Sequence, residues 1–542
     1  MRSTMMDVPL SLNHLLDRAG TLFAQNEILS RLPDKSLRRH TYGDFHRRTR
    51  RLGAALASLG LKKGDRVATL AWNHHAHLEC YFGIPAAGGV MHTLNLRLAP
   101  DEIGWIAADA KDRFLVVDDV LLPLYRQFAD KHAFEKVIVF PFSGAPVDTS
   151  GGHLDYEALL ADADGDVLVY AAHEENDPVA MCYTSGTTGR PKGVVYSHRS
   201  TVLHTLVGCL GENWAMKASD VLLPVTPMFH ANCWGLPYGA VMTGAKIVFP
   251  GPHLHPDDLL DLVTQQPPTL AVGVPTIWMG VIQAYDRSLA DEPGRWTLPS
   301  GMRSLVGGAA VPEALIRAIA KHDIWIVQGW GMTETSPLAT TAVRDRSLPE
   351  DEQFRRAAMA GVPVPLVNVR IRADGEDAPW DGKSPGEIQC RGPFITGSYH
   401  GVPVSEDKFT DDGWLRTGDV ATMDALGTVR ITDRTKDLIK SGGEWISSVD
   451  LENALMAHPQ VAEAAVIAIP DSKWSERPLA CVVWKKDAAI APAQVADALG
   501  KHLLAHGFAK WQLPDRYEAI EGVPRTSTGK FWKLKLRERF PH

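Results

Sequence analysis

Residues 183–197 read YTSGTTGRPKGVVYS. Gly186, Gly189 and Gly193 stand among the hydroxyl residues Thr184, Ser185, Thr187 and Thr188 and one lysine, Lys192. The apolar run Val179-Ala180-Met181-Cys182-Tyr183 reads as a buried strand, and Gly193-Val194-Val195-Tyr196 reads as another. The segment between is a strand-to-strand loop. Glycine lets backbone come close to a ligand. Inward N–H groups, hydroxyls and a mobile ammonium suit a polyphosphate. The loop is not a Walker A motif: Pro191 precedes Lys192, Gly193 follows it, and a strand comes next. By composition alone it is equally an ordinary surface loop.

At 542 residues the chain is too long for one core. Its 45% apolar and 22% charged content is that of a globular protein. A net charge of −8 argues against nucleic acid as the main partner. No apolar run is long enough for an integral membrane segment, and residues 1–16 lack the cationic start and apolar core of a secretion signal. The cysteines at 80, 182, 209, 233, 390 and 481 are scattered, as in reduced cytoplasmic proteins. Some of the fifteen tryptophans are candidates to line an apolar pocket.

Upstream of the loop, Leu12, Leu15, Leu16 and Ala19 predict a first helix. Thr41 is placed to cap a second, which Gly60 ends. Strands are expected at 66–71, 116, 137–140 and 167–170, an α/β alternation. His74, His75, His77 and Cys80 invite a metal reading, but no complete zinc-type spacing follows, so packing or exposure is the expectation. Downstream, strands are expected near 222–225, 244–249, 271–274 and 303–306.

Several phrases punctuate this pattern. One is TPMFHANCW, residues 226–234, with His230 and Trp234. Gly307-Gly308-Ala309-Ala310 leaves room for a ligand against backbone. Then come residues 327–334, VQGWGMTE, and residues 413–419, GWLRTGD. Residues 432–447, TDRTKDLIKSGGEWIS, and residues 523–531, VPRTSTGKF, complete the set.

YTSGTTGRPKGV and these phrases together resemble the adenylate-forming superfamily, which includes acyl-CoA synthetases, luciferases and peptide-synthetase adenylation domains. The resemblance covers nearly the whole chain. It implies an α/β fold: a large N-terminal domain of several subdomains with buried sheets, residues 1–434, and a small mobile α+β C-terminal domain, residues 435–542. It implies ATP, Mg2+ and coenzyme A as ligands, with a carboxylic acid as substrate. In its terms Thr184, Ser185, Gly186, Thr187, Thr188, Gly189 and Lys192 cradle phosphates. Gly308, Ala309, Gly329, Trp330, Gly331, Met332 and Thr333 surround adenine. Trp330 stands where most relatives carry Tyr. Thr184 and Glu334 hold the magnesium that ATP carries, a chemically reasonable oxygen set.

The resemblance further makes Asp419 the acceptor of the ribose hydroxyls, although an Asx turn is the plain alternative. Arg434 binds the ribose or phosphate side, and Lys436 is the hinge. Lys440, Gly442, Gly443, Glu444 and Trp445 belong to the face that meets CoA, or to a solvated surface. His230, Trp234 and Gly307 flank the acyl group, with Trp234 either a gate or a core residue. Lys530 enters the site for adenylation and leaves afterwards. The basic tail at 533–539 is expected to be a solvated helix face. The nearest branch is the medium- to long-chain fatty-acid–CoA ligases. Ligases for 3-methylmercaptopropionate or an aryl acid are the alternative, and fatty-acyl relatives admit a homodimer.

Overall fold

The computed structural model describes the chain except residues 2, 185–189, 343, 435, 443, 486–487, 489, 528–529 and 542. The described strands form four sheets, of nine, seven, five and five strands. The seven-stranded sheet is parallel apart from its last pair, Pro178–Tyr183 against Gly193–Ser197, which is antiparallel. That pair is the predicted strand–loop–strand. In the nine-stranded sheet the strands Arg303–Gly307 and Trp325–Gly331 run parallel, with Gly307 opposite Gly329. The glycine phrases therefore lie side by side at one end of the sheet.

Both large sheets are apolar on both faces, as parallel sheets flanked by helices are. Helix Tyr42–Ser58 begins with the anticipated Thr41 cap, closed by a reciprocal bond with Asp44, and Gly60 follows its end at φ 86°. A five-stranded antiparallel sheet carries Gly386–Arg391, Leu415–Met423 and Val429–Arg434. Beyond it the remaining sheet, built on Val461–Asp471 and Ser475–Trp484, packs against helix Ser448–Met456 and the tail helix Lys533–Arg539.

Two readings need correction. Residues 167–170 form no strand: Val167 and Val169 are exposed, and Arg50 takes the carbonyls of Gly165 and Leu168. That backbone is satisfied by a guanidinium instead of a sheet edge. The tail helix is not wholly solvated either. Lys533 is buried and pairs with Glu452 at 2.7 Å, while burial pushes the Glu452 carboxyl up to about 7. The histidine cluster serves the fold. His74 caps its helix and bonds Asp118, and His77 bonds Thr69 and the Trp72 carbonyl.

Candidate active site

The ends of these strands open on a cavity of about 700 Å³. Residues from every part of the chain line it: Thr184 and Lys192, His230 and Trp234, Gly307 and Gly308, Gly329 to Glu334, Asp419, Arg434, Lys436 and Lys530. Ser185, Gly186, Thr187, Thr188, Gly189 and Gly443 lie outside the described residues.

The loop's base is fixed. Thr184 N donates to the Lys192 carbonyl at 3.0 Å, and Lys192 N donates to Thr184 Oγ1 at 3.0 Å. The Lys192 ammonium lies 4.9 Å from the Tyr399 ring centre. The Tyr399 hydroxyl donates to Glu334 Oε1 at 2.7 Å. Glu334 is buried, and no ion pair to it is found among the described residues. A buried carboxylate with an oxygen to spare, facing a threonine hydroxyl across the same cavity, fits a hard divalent cation that also takes phosphate oxygens and water.

Opposite this, Asp419 is held from two sides. Trp330 Nε1 donates to Asp419 Oδ2 at 2.9 Å, and Arg434 Nε lies 3.3 Å from Oδ1. The preceding Gly418 has φ 75°, and Thr417 Oγ1 accepts the Asp419 N–H. Gly331 is fixed by close approach: a Cβ there would meet the Pro337 carbonyl oxygen at 1.6 Å. Trp330 is thereby carried on a tightly packed strand end.

Lys530 arrives from the far end of the chain. Its backbone pairs with Thr526, whose N–H donates to the Lys530 carbonyl at 2.8 Å. Its Cε lies 3.6 Å from where a Cβ on Gly308 would be. Burial draws its ammonium down to about 8, Arg434 adds to the fall, and Asp419 and Glu334 oppose it. The same desolvation, with Lys530 and Arg97 nearby, takes His230 down to about 3 and keeps it neutral. The Lys530 loop also touches the large domain directly: Asn95 Nδ2 donates to Ser527 Oγ at 3.0 Å, and Arg97 Nη1 to the Ser527 carbonyl at 3.4 Å.

Trp234 lies flat over Gly307 and Gly308, 3.4 and 3.6 Å from their would-be Cβ positions. Residues 231–234 all have φ between 42° and 55°. This left-handed turn of non-glycine residues costs about 1–2 kcal/mol per residue. It presents the indole to the cavity.

Five described residues of the expected set stand outside the cavity. Ala309 is exposed beside it. Lys440, Gly442, Glu444 and Trp445 are exposed on the C-terminal sheet, where Lys440 lies 5.5 Å from the Trp445 ring centre. This arrangement brings Lys530 in and leaves the expected CoA-side face out. Other lining residues carry no sequence motif. Tyr399 on Glu334, Trp105 beneath the Arg190 guanidinium at 5.3 Å, and the buried Trp214 are examples.

The AMP-binding enzyme family model matches residues 18–400, and the AMP-binding enzyme C-terminal domain model matches residues 450–530. A long-chain-fatty-acid–CoA ligase of Thermus thermophilus is 46% identical over 545 residues, covering 99% of this chain and 97% of its own. A 3-methylmercaptopropionyl-CoA ligase of Ruegeria lacuscaerulensis is 41% identical over 547 residues, covering 100% of this chain and 99% of its own. The crystal structure of ATP-bound MatB from Rhodopseudomonas palustris superposes with a TM-score of 0.80 at 26% identity, covering 98% of this chain and 99% of that one.

Proposed function

This chain belongs to the AMP-binding enzymes, and from that premise we propose that it is an AMP-forming fatty-acid–CoA ligase. The observation that carries the reading is Lys530. A lysine from the end of the chain reaches Gly308 in the cavity that Thr184, Lys192, Glu334 and Asp419 also line.

Two steps share the site. A carboxylate oxygen attacks the α-phosphorus of ATP, the bond to pyrophosphate breaks, and an acyl-adenylate forms. No protein nucleophile is needed. Trp330 stacks on adenine and Asp419 accepts from the ribose hydroxyls. Lys192 and the phosphate loop receive the polyphosphate. Lys530 bridges the carboxylate and the α-phosphate while negative charge moves to the leaving group. Magnesium brought with ATP would be held by Glu334 and Thr184 and would neutralise polyphosphate charge. The part beyond residue 434 then turns about Lys436, withdraws Lys530 and presents Lys440, Gly442, Glu444 and Trp445. The thiol of CoA loses its proton, its sulfur attacks the acyl carbon, and the bond to AMP breaks. Carboxylate, ATP and CoA thus give acyl-CoA, AMP and pyrophosphate.

Leu305, Val306, Val327 and Leu338 line the same cavity as Trp234, an apolar lining that suits a straight alkyl chain. The Ruegeria relative keeps a short sulfur-containing acid as the second reading. No described helix is long and apolar enough to cross a membrane. Its cysteines are all unbonded, which supports a cytoplasmic setting, and light scattering tests for a homodimer. The direct test is to incubate enzyme, Mg-ATP and dodecanoate without CoA. The acyl-adenylate should be found by mass spectrometry and convert to acyl-CoA when CoA is added. Absence of any adenylate from alkyl or thioether acids contradicts the reading.

A further inference from the structure

Trp214 is 3% exposed and yet lines the cavity. It follows helix His198–Cys209 and precedes strand Val221–Pro224. Three glycines make room for its ring. A Cβ on Gly208 would come within 2.5 Å of the indole, one on Gly239 within 3.2 Å and one on Gly235 within 3.3 Å. No larger residue at 208 leaves the ring where it is. The backbone is anchored as firmly: Trp214 N donates to the Gly208 carbonyl at 2.8 Å, and Arg303 Nη1 donates to the Trp214 carbonyl at 2.5 Å.

The indole belongs to a wall. The His204 ring meets it edge-on at 5.5 Å. Burial takes His204 down to about 3, so it is neutral, and its Nε2 accepts the Leu338 N–H at 3.2 Å. Leu338 is itself a lining residue. Trp214, His204 and Leu338 are thus locked together in one part of the cavity wall. Lys530, Gly308 and Trp234 line the same cavity, with Lys530 Cε and the Trp234 ring both 3.6 Å from the Gly308 Cβ position. Helix Leu236–Thr243 carries Gly239, and helix His198–Cys209 carries Gly208. Against the same two helices lies a second cavity of about 620 Å³, lined by Val202, Leu206 and Met242.

Taking the apolar part of this cavity as the acyl site, as the ligase reading does, we infer that Trp214 is its floor and sets the longest acid the enzyme accepts. Methylenes between Lys530 and the indole gain burial, about fourfold in kcat/KM each, the rate equivalent of about 0.8 kcal/mol. Once the chain end meets the ring, the next methylene has no room and kcat/KM falls. Overpacking a pinned indole is costly because the three glycines leave it no second position.

The test is kcat/KM for straight-chain acids from propionate to palmitate in wild type, Trp214→Phe and Trp214→Ala. The optimum is expected to move to longer acids in the order wild type, W214F, W214A, by several carbons in the last. A loss of packing alone lowers all acids together and leaves the optimum in place. An optimum at the same acid in every folded variant overturns the assignment. If W214A does not fold, W214F decides by the same criterion. Failure of the ligase reading looks different, since wild type then releases no pyrophosphate with any acid.

Discussion

The indole N–H of Trp330 donates to Asp419 Oδ2 at 2.9 Å, and Arg434 lies 3.3 Å from the other carboxylate oxygen. The residue proposed to stack on the base therefore also orients the residue proposed to read the ribose. A phenylalanine at 330 keeps a stacking face and loses the donor. A hydrogen bond to a charged group contributes about 1.5–3 kcal/mol. Trp330→Phe is expected to raise KM for ATP by about 10- to 100-fold. Its preference among acids should stay that of wild type. An unchanged KM for ATP means the bond does not position Asp419.

In the proposed mechanism Lys530 supplies charge for adenylation only. Removing one such donor costs about 10²–10³ in kcat. Lys530→Ala should slow pyrophosphate release by that factor and leave thioester formation from synthetic acyl-adenylate near wild type. Equal loss in both half-reactions would place Lys530 elsewhere in the mechanism.

The same residue sets a pH limit. Its ammonium is drawn down to about 8 by burial, and in the proposed mechanism the protonated form is the active one. Raising the pH through that value removes the charge, so kcat/KM for adenylation should fall on the alkaline side of about pH 8. Lys530→Ala should lose that alkaline limb. A limb that persists in the variant belongs to another group.

Glu334 and Tyr399 make a metal prediction. The Tyr399 hydroxyl donates to Glu334 Oε1 at 2.7 Å, and removing a partner of a metal-ligating group costs about 10–100-fold in metal affinity. Tyr399→Phe should raise the Mg2+ concentration needed for half-maximal adenylation by about tenfold, and Glu334→Gln by more. Unchanged Mg2+ titrations in both would remove Glu334 from the metal site.

Asn95 and Arg97 hold the Lys530 loop through Ser527 at 3.0 and 3.4 Å. The neutral Asn95–Ser527 contact is worth about 0.5–1.5 kcal/mol. Asn95→Ala should cut adenylation by about 3- to 10-fold, with thioester formation from added acyl-adenylate spared. A matching loss in the second half-reaction would make Asn95 a residue of the fold alone.

Much of this site is legible in the sequence because its parts sit in contiguous phrases. Glu334 follows a Gly-Met-Thr run and Asp419 a Thr-Gly turn, so each can be located without a structure. Tyr399, Asn95 and Trp214 are not legible that way. Tyr399 meets Glu334 across 65 residues and Asn95 meets Ser527 across 432. Trp214 reaches the cavity only because Gly208, Gly235 and Gly239 surround it. Residues 167–170 misled for the opposite reason. Their apolar run Val167-Leu168-Val169-Tyr170 has the right composition for a strand, but Arg50 takes the carbonyls of Gly165 and Leu168. Lys440 and Trp445 were expected on a CoA-side face or on a solvated surface, and they are exposed on the C-terminal sheet outside the cavity.

Whether this chain activates a fatty acid as an adenylate is decided by pyrophosphate and AMP formation with acids from propionate to palmitate, each with and without CoA. Acid-dependent pyrophosphate release is expected that turns over continuously only with CoA, with equal AMP and acyl-CoA formed and one optimum along the alkyl series. No pyrophosphate with any acid, thioether acids included, would contradict it.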